Sequence, residues 1–150
     1  MSESKATALQ AKINRTIPLS RAMGYQIQEL DSRHIVVEAP LKPNVNLHGS
    51  GFAGSIYSLG ALTAWALGSH IVDQADLDVE LVITEASIRY RTPIRQSIHC
   101  LCRVSEEERQ RFVAKLLDQG KARLAVEVAI GKRAVLMRAT LHATRVKKSV

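Results

Sequence analysis

The chain has 150 residues, 46% of them hydrophobic, which suits one globular domain with an ordinary core. Its formal net charge of +7 favours anionic partners, yet aromatic residues make up only 4% and no basic stripe is interleaved with them, which argues against a nucleic-acid ligand. The opening MSESKATALQAKINRT lacks the continuous apolar core of a secretory signal, so the expected location is the cytoplasm.

Leu9, Ile13 and Ile17 recur at helical spacing and predict an amphipathic helix over residues 1–18, ended by Pro18. YQIQELDSRHIVVEAPL predicts two strands, 25–30 and 34–41, turned into a hairpin by Asp31 and Ser32. A loop bounded by Pro40 and Pro43 leads to an uncharged helix expected at 54–72. VELVITEASIRYRTPI is a β-branched strand. Simple alternation puts Val82, Ala86, Ile88 and Tyr90 on one face and Glu85, Ser87, Arg89 and Arg91 on the other, with Pro93 as the stop. In SIHCLCRV the apolar face is Ile98, Cys100, Cys102 and Val104. Ser105 and Glu108 form a capping-box pattern opening a polar helix, and Gly120 stops it. ARLAVEVAI and AVLMRATLHATRV are two further strands turned at Gly131 and Lys132, and the tail 147–150 is expected to be loose. Strands gathered after one apolar helix predict a single α+β domain over 1–150 with an antiparallel sheet. A helix with no polar side has to be enclosed, by a curved sheet or by a partner.

That helix lies in NVNLHGSGFAGSIYSLGALTAWALGSH, residues 44–70, which holds no Asp, Glu, Lys or Arg. Its continuous apolar portion, 56–68, is too short for the ~20 residues a bilayer demands. Gly49, Gly51 and Gly54 match the dinucleotide pattern G-x-G-x-x-G, but a proline-bounded loop precedes them instead of a strand, and no second βαβ unit follows. The nucleophile-elbow pattern G-x-S-x-G is absent around Ser50 and Ser55. Cys100 and Cys102 share one face of a strand without companion ligands, so they are expected to be core thiols and no metal is expected.

The organisation and these residues together resemble the hotdog fold, a curved antiparallel sheet wrapped round a long central helix. NVNLHGSGFAGSIYSLGALTAW resembles the signature loop and helix of thioesterase-like domains of the YiiD C-terminal type, a group sometimes attached to an acetyltransferase domain. ITEASIRYRTPI resembles the third strand of that group, ARLAVEVAI a later strand and SEEERQRFVAKLL its polar helix, so the likeness covers nearly the whole chain. It implies hydrolysis of an acyl thioester of coenzyme A or acyl carrier protein, without a cofactor, in a homodimer or dimer of dimers whose sites lie between subunits. Two other classes stay open: a non-catalytic acyl-thioester binding module or acyltransferase partner, and a nucleic-acid-binding regulator.

A glycine-rich turn feeding a helix start leaves backbone N–H groups free at the positive end of the helix dipole. Gly54 and Ser55 are therefore candidates to hold the thioester carbonyl and its oxyanion. The resemblance also leads one to expect a carboxylate about two turns into the central helix, where this chain reads SIYSLGALTAWAL and has none. His48, in the loop, is the substitute base, against the alternative of a hydrogen-bonded structural histidine. Asn46 either orients a carbonyl or water or builds the loop; Ser55 either joins the site or caps the helix. Glu85, sharing a face with Arg89, is either a catalytic carboxylate, entering a partner's site, or half of an ion pair. Phe52, Tyr57, Ser58 and Leu62, with Trp65, are candidates for substrate contact or for plain packing. Arg89, Arg91 and Arg95 border the Pro93 turn as receivers of coenzyme A phosphates or as solvated edge charges.

Overall fold

The structure, a computed structural model, describes residues 2–146, with side chains from residue 5 onward. The loose tail expected at 147–150 lies outside the described residues.

The chain starts with helix α1 (Ser2–Thr16), on which Leu9 and Ile13 are buried and Ile17, just beyond, packs beside them. Pro18 ends it as expected but also serves as N-cap of a five-residue helix not expected from the sequence, α2 (Leu19–Met23). Proline is tolerated at a helix start because the first N–H groups have no partner there anyway. Gly24 closes α2 at φ 73°, and a Cβ on it would come within 2.7 Å of the Pro40 ring, so both backbone and space require glycine.

Strands β1 (Gln26–Leu30) and β2 (His34–Ala39) form the predicted hairpin, each a little shorter than expected at one end. After a 3-10 turn (Lys42–Asn44) and a loop comes the central helix α3 (Ala53–Gln74), then β3 (Val79–Tyr90), β4 (Ile98–Arg103), α4 (Glu106–Gln119), β5 (Lys121–Ile130) and β6 (Val135–Arg145). The six strands form one sheet in the order β1-β2-β4-β5-β6-β3, every neighbouring pair antiparallel. The sheet wraps α3, which packs against β2 to β6 and buries nearly every residue from Leu59 to Val72. Gly60 and Gly68 allow this close approach: a Cβ would meet Ile130 Cδ1 at 2.9 Å in the first case and Leu141 Cδ1 at 2.8 Å in the second. Deeper in, the hydroxyls of Tyr25 and Thr63 share a buried hydrogen bond of 3.3 Å, which pins β1's approach to the helix.

The face assignment along β3 needs correction. A bulge between Ile83 and Glu85 adds Thr84 to the strand, so Leu81 and Ile83 face inward together with Ala86, Ile88 and Tyr90. Val82 is thereby turned outward and is 46% exposed. Farther along, β4 and β5 pair only at Cys100–Cys102 against Val128–Ile130 and then part; α4 sits beside β5 and adds Phe112 and Leu116 to the core. The predicted capping box at its start is complete, Ser105 Oγ accepting from Glu108 N and Glu108 Oε1 from Ser105 N. Gly120 stops α4 at φ 75°.

Cys100 and Cys102 are buried against the helix, as expected of core thiols. Burial raises both thiol pKa values to about 12, which favours the protonated, unreactive form. A thiol reagent at pH 8 is therefore expected to leave the folded protein unmodified and to label both cysteines once denaturant is added. Labelling of the folded protein would contradict this packing.

Candidate active site at the start of the central helix

The approach to α3 is a loop held by its own side chains. Asn44 is 1% exposed and donates from Nδ2 to the carbonyls of Met23 (2.9 Å) and Pro40 (2.8 Å). Val45 and Gly51 form an isolated antiparallel bridge, and between them Asn46 Oδ1 accepts from the N–H groups of His48 (2.9 Å) and Ser50 (3.1 Å). Gly49 turns at φ 78°. Gly51 N–H then donates to Ile94 O (2.8 Å) and Phe52 N–H to Asn44 O (2.7 Å), which aims the chain into the helix.

Phe52 is the N-cap, in extended backbone, and offers no side-chain acceptor. The N–H groups of Ala53, Gly54 and Ser55 consequently have no acceptor among the described residues. They sit at the positive end of a 22-residue helix, where an anion or a polarised carbonyl is favoured. The Phe52 ring lies over Gly54, so close that a Cβ there would be 2.6 Å from Cε2. On the other side Tyr90, from the end of β3, donates its hydroxyl to Ala53 O at 2.7 Å. Partial burial and then the nearby Tyr57 raise the Tyr90 phenol above its usual pKa, so it stays a donor through the neutral range.

The sequence candidates divide in four. His48, Asn46, Phe52, Gly54, Ser55, Tyr57 and Ser58 all lie on the loop or the first turns of α3. Within that group Asn46 is the builder of the loop. The His48 ring is exposed with only backbone bonds around it. Ser55 does not cap, because the helix begins three residues earlier than that role requires. Leu62 and Trp65 belong to packing: Leu62 is buried, and Trp65 donates from Nε1 to Leu81 O (3.0 Å) with the Lys12 ammonium 6.0 Å from its ring. Glu85 is on the outer face of the sheet, in a groove with Ser87, Glu127 and Arg138, and within the chain it does not meet the loop. Strand alternation is the reason, since Tyr90 and Glu85 point to opposite sides.

Arg89 and Arg91 are exposed near the same end of the molecule, and Arg95 reaches His48 O at 3.5 Å. Tyr90 is the site residue that sequence reasoning placed on the right face without recognising its role. Among the described residues, no group of three or more His, Cys, Asp or Glu side chains could hold a metal ion, and no helix is long and apolar enough to cross a membrane.

A curved antiparallel sheet closed round one long helix, with a loop delivering the chain to that helix's bare N-terminus, defines a hotdog-fold protein of the thioesterase kind. Residues 6–140 match the family model described as "Putative thioesterase (yiiD_Cterm)", and the chain belongs to that family. Among solved structures it is similar to a protein of unknown function from Chlorobaculum tepidum, with 24% identity over 97% of each chain and a TM-score of 0.91. A thioesterase described as putative, from Shewanella oneidensis, is 27% identical over 95% of this chain and 99% of that one, with a TM-score of 0.85. A protein from Pseudomonas aeruginosa described as a probable thioesterase is 21% identical over 97% of each chain, at a TM-score of 0.81.

Proposed function

We propose that the protein hydrolyses an acyl thioester carried by coenzyme A or acyl carrier protein. The observation that carries this reading is the set of unaccepted N–H groups at Ala53, Gly54 and Ser55. There the thioester oxygen accepts from the helix start, and the same donors stabilise the oxyanion as it forms. His48 takes a proton from the attacking water. The new C–O bond gives a tetrahedral intermediate; the C–S bond then breaks, and the proton returns from His48 to the departing sulfur. The products are a carboxylic acid and a thiol. Phe52, Tyr57 and Ser58 face the acyl side, and Arg89 and Arg91, with Arg95, receive the anionic carrier.

The acting unit in this reading is a homodimer in the cytoplasm, where free thiols such as Cys100 and Cys102 persist. Strand β3 supports it. The strand pairs with β6 along one side only, and the inward residues Leu81, Ile83, Ala86 and Ile88 are only half-buried. A twelve-residue free edge invites pairing with a second copy, which would complete the site. A second reading, a non-catalytic acyl-thioester binding module, draws on the lack of any carboxylate in α3 before Asp73.

One experiment separates the two: free-thiol release from a panel of acyl-CoA thioesters of graded chain length, with acyl-CoA binding and sedimentation measured on the same protein. Hydrolysis by a dimer is expected. Binding without thiol release for every chain length would replace the enzyme with the binding module, and a monomer that hydrolyses would remove the shared site.

A further inference from the structure

The turn Gly131 to Ala134 is built in an unusual way. Gly131 O accepts from Ala134 N (3.1 Å), and the two central residues, Lys132 and Arg133, both have left-handed backbone, at φ 54° and 72°. Asn-Gly is the pair such a turn favours; two long basic side chains there cost conformational energy and gain no packing, since both are exposed. Lys132 makes no ion pair among the described residues, and Arg133 reaches only Glu127, at 3.7 Å.

The turn is fixed beside the active-site loop. Arg91 N and Thr92 N donate to Ala134 O (2.8 and 3.1 Å), the Ile94 side chain packs onto Gly131, and Ile94 O accepts from Gly51 N. Lys132 and Arg133 thus extend a basic face formed by Arg89, Arg91 and Arg95, none of which is ion-paired among the described residues. Residues 86–105 and 128–146, which supply this face, contain no Asp or Glu. At the other end of α3 the charges are mixed: Asp73, Asp76 and Asp78 line one groove with Lys121 and Arg145, and Asp73 pairs with Lys12 at 3.5 Å. Next to the basic face Leu47 stands 90% exposed and Val45 42% exposed.

We propose that this face docks a small acidic carrier protein that presents the acyl group on a flexible thiol arm, with Lys132 and Arg133 as its outer contacts. The inference rests on the thioesterase reading and selects between its two carriers. The phosphates of a nucleotide carrier need a few convergent cations. This face spreads its charge over the end of β3, the Pro93 turn and the Gly131 turn, with exposed apolar residues alongside, as suits a protein surface.

The test uses one acyl chain on three carriers, acyl carrier protein, coenzyme A and uncharged N-acetylcysteamine, with the full chain and its double variants Lys132→Asn/Arg133→Gly and Lys132→Glu/Arg133→Glu. Both variants are expected to lower kcat/KM for the carrier protein about tenfold or more, most strongly at low salt. Rates with the other two carriers should stay within about twofold. The Asn-Gly variant should also melt at a higher temperature than the wild type, because its turn is relaxed. Equal losses with coenzyme A, or no loss with the carrier protein, would overturn the proposal. If wild type releases no thiol even from the N-acetylcysteamine thioester, the thioesterase reading fails separately. Anisotropy of fluorescently labelled acyl carrier protein then judges docking alone: variant-sensitive binding supports it, and absence of binding overturns it. Tighter, equally variant-sensitive binding of a labelled oligonucleotide would overturn it in favour of nucleic acid.

Discussion

His48→Ala is expected to lower kcat for thioester hydrolysis by about 10²- to 10⁴-fold while leaving the protein folded. The ring is exposed and forms no side-chain bond among the described residues, so its removal should change stability by less than about 0.5 kcal/mol. The loop that carries it is set by Asn46 and by the Val45–Gly51 bridge, neither of which depends on the imidazole. Substrate affinity should therefore hold while the chemical step fails, since the N–H groups proposed to receive the carbonyl belong to Ala53, Gly54 and Ser55. Steady-state kinetics with one acyl-CoA, alongside a thermal melt, checks both halves. Wild-type turnover in the variant would move the base elsewhere, to a group from a second copy.

Leu67→Ala is expected to cost about 3 kcal/mol of folding free energy and to lower Tm by about 10 °C. Leu67 has no exposed surface and lies in the stretch of α3 that the sheet encloses, so the cavity left by its side chain has little means of collapsing. Against a typical stability of roughly 5–15 kcal/mol this is a large share. Leu117 on α4 supplies the comparison: it is 57% exposed, and its replacement by alanine should stay within about 0.5 kcal/mol. Urea denaturation of the two variants measures the contrast. A loss below about 1 kcal/mol at Leu67 would mean that the helix is not tightly held.

Most of this fold is legible along the chain because its signals are local. The capping box at Ser105, the stop at Gly120, the turn at Gly131 and the charge-free helix each depend on residues within a few positions of one another. What escaped depends on distant partners or on shortness. Nothing in VITEAS marks Thr84 as an extra residue; the bulge appears only against Leu141 and Thr140 of β6, and with it Val82 changes face. Helix α2 has five residues, too few to show a period. The start of α3 was obscure because Phe52 is not a capping residue, and that same lack leaves its N–H groups free. Among the site candidates, Asn46, Phe52, Gly54 and Ser55 are near in sequence and so stay near in space. Glu85 depended on which side of a sheet it faced, and Tyr90 on a hydroxyl whose partner lies 37 residues away.

The bond from Tyr90 to Ala53 joins the edge strand β3 to the first carbonyl of the central helix. A second chain pairing along that strand would therefore hold the tyrosine that fixes the helix start. Self-association and ligand capture then become thermodynamically linked quantities: whatever factor one contributes to the other must be returned in the opposite direction. Substrate would tighten the assembly as much as the assembly would tighten substrate, and the protein's apparent affinity would vary with its own concentration.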